Sequence, residues 1–212
     1  MVRKGGDYSF ARPSISELKK AGITFVCRYL SHTPAKNLTL KEAEELSAAG
    51  IDIVSIWEST ALRATEGHEA GVADAKAALD QQRAVDDPRG RDNGKPIYFA
   101  VDADVEPKRV IPYFQGVGSV LDVHGAKRVG VYGSAAVCEA LKEAGHVQWT
   151  WRANPHGWCG YPGKGFNIIQ ELEQVLKGVD LDYAETTDFG QWRVTAAHAA
   201  ANGWTVEENV SV

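Results

Sequence analysis

Two carboxylates follow a long apolar segment and give the clearest chemical signal in this sequence. The segment runs from Pro96 to Val101, and Asp102 and Asp104 come next, two residues apart. An apolar run rich in β-branched and aromatic residues predicts a strand buried on both faces of a parallel sheet. Because side chains two apart on a strand point to the same side, we expect Asp102 and Asp104 to project together from its carboxyl end. Adjacent carboxylates repel each other, so the pair indicates a function rather than packing.

Polar residues also end the other predicted strands. They are Asp7, Arg28 with Tyr29, Glu58, Tyr132, Arg152 with Asn154, Gln170 and Asp182. Grouped carboxylates with few cations raise the pKa of at least one member towards neutrality, which leaves a proton-donating acid beside ionised partners. Cleavage of a glycosidic bond requires this combination. For each acid taken singly, a simple role as a solvated or helix-capping residue stays open.

Aromatic side chains near the same strand ends are suited to stacking on sugar rings. They are Tyr8, Trp57, Tyr132, Trp149 or Trp151, and Trp158. The six tryptophans are equally compatible with core and rim packing. Motifs of other enzyme classes are missing: the sequence has no HExxH or GxSxG, and Gly163-Lys164-Gly165 lacks the serine or threonine of a phosphate-binding loop.

Alternating strand and helix patterns must position these residues. Strands are predicted at 5–9, 24–30, 52–58, 96–104, 128–134, 148–154, 167–172 and 179–183. Helices are predicted at 13–21, 39–49, 66–86, 106–124 and 134–144. Ser14 with Glu17 and Thr39 with Glu42 form capping boxes at two helix starts, and Pro112 predicts a kink or a late start in the fourth helix.

This alternation predicts right-handed βαβ units and a parallel sheet. Eight strands with helices after only the first five predict an α/β fold, a TIM-like barrel shorter than the full form of about 250 residues. No linker divides the chain, so we expect one domain over 1–212, with a core at about 5–185 and a tail at 187–212 of weak helical character near 195–201. An open doubly wound sheet is the alternative, but its phosphate-binding glycine pattern is missing.

Composition excludes several function classes. The 212 residues carry a net charge of -5 without a basic cluster, so a nucleic-acid partner is not expected. No apolar run approaches the ~18 residues of a membrane span, and no apolar signal segment follows the first basic residues. The three cysteines indicate neither a disulfide framework nor a zinc site. We therefore expect a soluble monomer, made in the cytoplasm, without cofactor, metal or membrane partner, that reaches a cell wall by release or through a phage-type lysis system.

The strand-end motifs resemble those of a known group. Gly6-Asp7-Tyr8-Ser9 is similar to the first-strand D-x-S, and residues 99–104 to the D-x-E strand, of the glycoside-hydrolase-like domains related to glycoside hydrolase family 25, the lysozyme-type muramidases. Residues 170–182 resemble the closing W-Q … G-x-x-D-x-N of that family. The likeness spans about residues 5–185 and implies a barrel of five strand–helix units followed by three strands without helices.

The resemblance also implies roles for individual acids. Asp7, Asp102 and either Asp180 or Asp182 match acidic positions of the family site, and we expect Asp182 at the mouth because it lies nearer the carboxyl end of its strand. The family's proton donor is the Glu of D-x-E, where this sequence has Asp104. The shorter side chain places the carboxyl about 1.5 Å back, a displacement that can cost about 10²-fold in rate. Glu58 on the neighbouring strand is an alternative donor.

Three functions are compatible with these patterns. The first is a glycosidase acting on peptidoglycan or a related amino-sugar polymer. Its catalytic candidates are Asp102, Asp104, Glu58 and Asp7. Its substrate-binding candidates are Tyr8, Trp57, Tyr132, Arg152, Gln170 and Asp182. The second is a carbohydrate-binding module on the same barrel without turnover, and the third is a divalent-metal hydrolase, because oxygen-only clusters suit Mg²⁺ or Ca²⁺.

Overall fold

The chain forms a closed barrel of eight strands. The computed structural model describes residues 2–87, 89–122 and 127–194. The strands are β1 (Arg3–Tyr8), β2 (Phe25–Leu30), β3 (Asp52–Trp57), β4 (Ile97–Ala100), β5 (Val129–Gly133), β6 (Trp149–Arg152), β7 (Ile168–Leu176) and β8 (Val179–Ala184). They pair in chain order, and β8 closes the barrel against β1.

Five α-helices cover the barrel, one after each of the first five strands. They are α1 (Ile15–Lys20), α2 (Leu40–Ala48), α3 (His68–Asp86), α4 (Ile111–Leu121) and α5 (Ala135–Glu143). Short 3₁₀ turns occupy Pro34–Lys36, Arg63–Thr65 and Pro107–Arg109. The predicted TIM-like barrel is confirmed, and within the described residues helices follow only the first five strands. The late start predicted from Pro112 is also confirmed, because α4 begins at Ile111 after the third 3₁₀ turn.

The last strand corrects the prediction of an entirely parallel sheet. Strands β1 to β7 run parallel, but β8 is antiparallel to both β7 and β1. Only Lys177 and Gly178 connect β7 to β8, and a parallel connection needs a crossover of a dozen or more residues. Gly178 supplies the positive φ, +73°, of this tight turn. The mouth of the barrel therefore lies at the amino end of β8, not at its carboxyl end.

The fourth strand is shorter than predicted. β4 ends at Ala100, and the last backbone pairing in this direction is the Val101 N–H donating to the Tyr132 carbonyl at 2.7 Å. Asp102 and Asp104 therefore lie in the loop after the strand, and the expectation that strand geometry holds them side by side is wrong. The apolar pattern of the sequence alone does not show where β5 stops forming backbone hydrogen bonds with β4.

The floor of the barrel is closed by residues that the sequence left as an unassigned tail. Phe189 packs on Phe25 with ring centroids 4.8 Å apart, and its carbonyl accepts a hydrogen bond of 2.8 Å from the Tyr98 hydroxyl. Trp192 pairs antiparallel with Ile53, on the part of β3 that the short β4 leaves without a partner. Residues 185–194 thus belong to the barrel, and the predicted helix at 195–201 lies outside the described residues.

Two helix starts show how packing modifies a local signal. The capping box of Ser14 and Glu17 is complete, with both reciprocal hydrogen bonds formed. Thr39 caps α2 through the Glu42 N–H, but the Glu42 carboxylate binds the buried Arg28 guanidinium instead of closing the second box. This ion pair anchors α2 to the outer face of β2.

Candidate active site at the barrel mouth

A buried pair of acids lies at the centre of the mouth. Asp7, near the end of β1, is 3% exposed. One of its carboxylate oxygens accepts from Gln170 Nε2 at 2.8 Å, and the other from the Tyr29 hydroxyl at 3.4 Å. Asp182 lies one step deeper, since it pairs with Gly5 while Asp180 pairs with Asp7. The expectation that Asp182 lies nearest the mouth is corrected by the antiparallel direction of β8.

Burial separates the protonation states of the two acids. Burial raises the pKa of Asp7 to about 6, although the hydrogen bond from Gln170 opposes this shift. Burial raises the pKa of Asp182 well above its ordinary value, and the charge of Asp7 raises it further. Asp182 Oδ1 accepts a hydrogen bond of 3.0 Å from Trp151 Nε1. The other oxygen of Asp182 therefore carries the proton that forms the hydrogen bond with Asp7. Asp182 therefore holds its proton to higher pH than an ordinary aspartate, beneath Asp7, whose pKa is also raised.

A second pair of acids lies on the rim. Glu58, directly after β3, forms an ion pair of 2.8 Å with Lys36 Nζ. Asp102 lies exposed in the loop after β4. Partial burial of the Asp102 carboxyl raises its pKa, the charge of Glu58 adds to the rise, and Lys36 opposes it. The rim therefore combines one ion-paired carboxylate with one carboxyl that holds its proton to higher pH.

Tyr132 connects the central acids with the rim. The Tyr132 hydroxyl donates to Gln170 Oε1 at 2.9 Å, and Gln170 in turn donates to Asp7. Burial raises the pKa of Tyr132, and charged neighbours raise it further. These neighbours are Asp7, Asp102, Asp182 and Glu58. The same hydroxyl is thus surrounded by four acids that are far apart in the sequence.

Asp104 is not part of this group. Its Oδ1 accepts a hydrogen bond of 2.9 Å from the Cys159 backbone N–H, in the loop between β6 and β7. It does not contribute to the pKa shifts of Asp7 or Asp102. The structure therefore brings Asp102 to the cluster and directs Asp104 towards a neighbouring loop.

Three predicted binding residues face away from the mouth. Tyr8 donates to Glu42 at 3.2 Å and packs under Arg28, Trp57 packs against His32 with ring centroids 4.9 Å apart, and Arg152 lies under the loop after β6. Each precedes or follows an inward-facing residue on its strand, and successive side chains point to opposite faces. The expectation that these three line the mouth is therefore corrected.

Sequence reasoning missed Lys36 and named Tyr29 only as a strand-end residue, without a role in the site. Tyr29 is the inward neighbour of Arg28, which the alternation of side chains along β2 could have shown. Lys36 ends a 3₁₀ turn and lies 5.7 Å from the ring of Tyr29 and 5.8 Å from that of Phe10. Nothing in its surrounding sequence marks it, because its partner Glu58 comes from another loop.

The described residues contain neither a metal-binding cluster nor a membrane-spanning helix. Within 2–87, 89–122 and 127–194, no group of three or more His, Cys, Asp or Glu side chains is arranged to hold a metal ion. In the same ranges, none of the helices has the length and apolar character needed to cross a lipid bilayer.

Comparison with known proteins places the barrel in a family. The family described as Rv2525c-like, glycoside hydrolase-like domain matches residues 16–208. The chain belongs to this family. The resemblance found in the sequence is thereby confirmed. This Rv2525c-like domain is also similar to the uncharacterized protein FadG of Bacillus subtilis, with 29% identity over 140 residues, which are 60% of the chain but only 23% of FadG.

Solved structures agree with this assignment. The Tat-secreted protein Rv2525c of Mycobacterium tuberculosis, solved in complex with L-tartrate, is 25% identical, with a TM-score of 0.78 over 90% of this chain and 98% of that one. A family 25 glycosyl hydrolase from Bacillus anthracis is 14% identical, with a TM-score of 0.56 over 89% and 93%. The spore cortex lytic enzyme SleM of Clostridium perfringens is 17% identical, with a TM-score of 0.59 over 86% and 67%. The last two show a shared fold.

Proposed function

We propose that this Rv2525c-like domain binds an amino-sugar polymer of the peptidoglycan type at the barrel mouth and hydrolyses its glycosidic bonds. The observation that carries the proposal is the arrangement of four acids around Tyr132, in which the pKa of Asp7 is raised to about 6 and the pKa values of Asp182 and Asp102 are also raised. Glycoside hydrolysis needs a proton donor and a carboxylate on one binding surface.

The two roles follow from position. Asp102 is the proton donor, because it is exposed on the rim, where the glycosidic oxygen of a polymer reaches it, and Glu58 beside it favours its protonated form. Asp7 is the carboxylate that stabilises positive charge at the anomeric carbon, and Gln170 and Tyr29 fix its orientation. Transfer of the Asp102 proton to the leaving oxygen breaks the glycosidic bond. Water then adds to the anomeric carbon, and the proton that it loses returns to the Asp102 carboxylate.

The known relatives support the choice of substrate. SleM is a spore cortex lytic enzyme, and the Bacillus anthracis protein is a family 25 hydrolase. L-tartrate, bound by the Mycobacterium tuberculosis relative, is a polyhydroxylated anion. The exposed Phe10 ring beside Lys36 offers an apolar face to a sugar at the rim. We therefore infer a site of action at the bacterial cell wall.

Release of reducing ends tests the proposal. Purified protein is incubated with peptidoglycan and with chitooligosaccharides from about pH 4 to about pH 8, a range that spans the titration of the site. We expect new reducing ends, detected by mass spectrometry, and a loss of about 10²-fold or more in Asp102→Asn. Asp104→Asn is the matched control and should retain the wild-type rate, because Asp104 lies outside the cluster. Intact polymer at every pH, or an active Asp102→Asn variant, would contradict the proposed hydrolysis.

A binding module without turnover is the second candidate. The observation that favours it concerns Asp104, which stands where the D-x-E motif of the family 25 muramidases has its Glu. Asp104 accepts a hydrogen bond from the Cys159 N–H and does not join the acid cluster. Titration calorimetry with muropeptides separates the two functions. Saturable binding without reducing ends favours the module, and turnover excludes it.

A further inference from the structure

Arg152 is a buried cation without an acidic partner among the described residues. It is 5% exposed, and its Nε has no hydrogen-bond partner in that part of the chain. One of its terminal nitrogens donates a long hydrogen bond of 3.4 Å to the Ala153 carbonyl. The other two buried arginines differ: Arg28 binds Glu42 through two nitrogens, and Arg128 binds Asp92 in the same way. An unpaired charge costs free energy when it is buried, so the position of Arg152 favours the binding of an anion.

Asn154 lies beside Arg152 and is equally unsatisfied. It is 2% exposed, and neither its Nδ2 nor its Oδ1 has a partner among the described residues. The Ala153 N–H continues the pairing of β6 with Gly133, so Asn154 falls on the same side of the extended chain as Arg152. Asn167, similarly buried, has partners on both amide atoms. Arg152 and Asn154 are thus two buried polar side chains, two residues apart, with hydrogen-bonding atoms that have no partner among the described residues.

The loop 155–165 covers this site and is fixed at two points. The Cys159 carbonyl accepts from the Ala136 N–H at the start of α5, and the Cys159 N–H donates to Asp104. The Tyr161 ring stacks on the Arg152 guanidinium at 5.0 Å and is 36% exposed. The buried cation thus contacts an aromatic ring that is itself open to solvent.

We propose that Arg152 and Asn154 form a second binding site, separate from the barrel mouth, for a carboxylate that carries an adjacent hydroxyl or N–H donor. The guanidinium and Asn154 Nδ2 supply donors to the two carboxylate oxygens, and Asn154 Oδ1 accepts from the adjacent donor. A water molecule can form hydrogen bonds with the polar atoms of Arg152 and Asn154, but only an anion also pairs with the charge of Arg152. Glu139 is the acid that shares the neighbourhood of Cys138 with Arg152, and it makes no ion pair with Arg152 within 4.0 Å.

Nuclear magnetic resonance of the folded chain tests the proposal. The Arg152 Nε–H and Asn154 Nδ2–H signals are followed while lactate is added to about 50 mM, a concentration suited to the weak affinity of so small a ligand. We expect saturable shifts of both signals. Lactamide lacks the charge and acetate lacks the hydroxyl, so each should bind at least about tenfold more weakly. The absence of a saturable shift with lactate, or equal binding of lactamide, would overturn the proposal.

Two variants separate this site from a general charge effect. Asn154→Asp supplies the missing carboxylate to Arg152, so it should raise the midpoint of urea unfolding and weaken lactate binding by at least about tenfold. Arg152→Met should also abolish binding, and Asn154→Asp decides the question alone if Arg152→Met does not fold. Lys19→Met removes an exposed positive charge on α1 and should leave binding unchanged. Binding that persists in Asn154→Asp would refute the assignment, whereas loss of hydrolysis in Asp102→Asn has no bearing on it.

Discussion

Replacing Asp182 by Asn tests whether the buried acid pair holds a proton at neutral pH. Asp182 is fully buried, and its Oδ1 accepts from Trp151 while its other oxygen is directed to Asp7. Asparagine has the shape of a protonated aspartic acid, keeps an acceptor for Trp151 and offers an N–H to Asp7. We therefore expect Asp182→Asn to fold normally and to differ from the wild type in its dependence on pH.

The size of that difference follows from proton linkage. An acid whose pKa is raised by folding keeps its proton while the unfolded chain releases it, so stability is lost as pH rises from about 4 to the folded pKa. One retained proton lowers the free energy of unfolding by about 1.4 kcal/mol per pH unit. Asp182, whose pKa folding also raises, contributes a loss of stability of the same sign as pH rises towards its folded pKa. Asp7, with a pKa of about 6, adds roughly 1 kcal/mol between about pH 5 and 6.

Urea unfolding followed by tryptophan fluorescence at constant ionic strength measures the slope. The wild type should lose more stability between pH 5 and 6 than Asp182→Asn, in which only Asp7 contributes its roughly 1 kcal/mol. Asp80→Asn, at an exposed position of α3, is the matched control and should keep the wild-type slope. Equal slopes in Asp182→Asn and wild type would show that Asp182 is ionised in the folded protein, and the description of the acid pair would then be wrong.

Three further changes test packing and the site. Glu42→Gln leaves the Arg28 charge buried and should cost about 3–5 kcal/mol in urea unfolding; an unchanged midpoint would contradict the importance of the pair. Gly116→Ala places a Cβ 2.1 Å from the His68 carbonyl and should cost at least about 1–3 kcal/mol, whereas Gly118→Ala, whose Cβ meets the Asp122 carboxylate at an ordinary 3.7 Å, should be harmless. Tyr132→Phe removes a donor to Gln170 and should weaken saccharide binding about tenfold by calorimetry, with little change in melting temperature.

The sequence predicted the barrel well because each of its elements carries a local signal. Apolar strands, capping residues and glycine stops placed five helices and eight strands within a few residues of their observed positions. The direction of β8 was also accessible in principle, since the two-residue link at Lys177 and Gly178 is a hairpin signal. The end of β4 was not accessible, because it depends on where β5 stops offering hydrogen-bond partners.

The candidate site was predicted less completely, and for two different reasons. Asp7 and Tyr8 are consecutive on one strand, so both could not face the mouth, and the alternation rule would have removed Tyr8 from the site. Lys36 and the loop position of Asp104 depend instead on contacts with Glu58 and Cys159, which are distant in sequence. Local pattern cannot reveal such tertiary partners.

The final hairpin determines the electrostatics of the mouth. If β8 were parallel, the carboxyl end of its strand would place Asp182 at the rim, where water would keep it ionised. The antiparallel direction places Asp180 beside Asp7 and sets Asp182 one step deeper, where burial keeps its proton. The register shift between Gln170 and Gln174 then keeps Gln170 opposite Asp182 and within hydrogen-bond distance of Asp7. Because the hairpin leaves no room for a helix after β7, the loss of that helix and the burial of Asp182 beneath the mouth have a common structural origin.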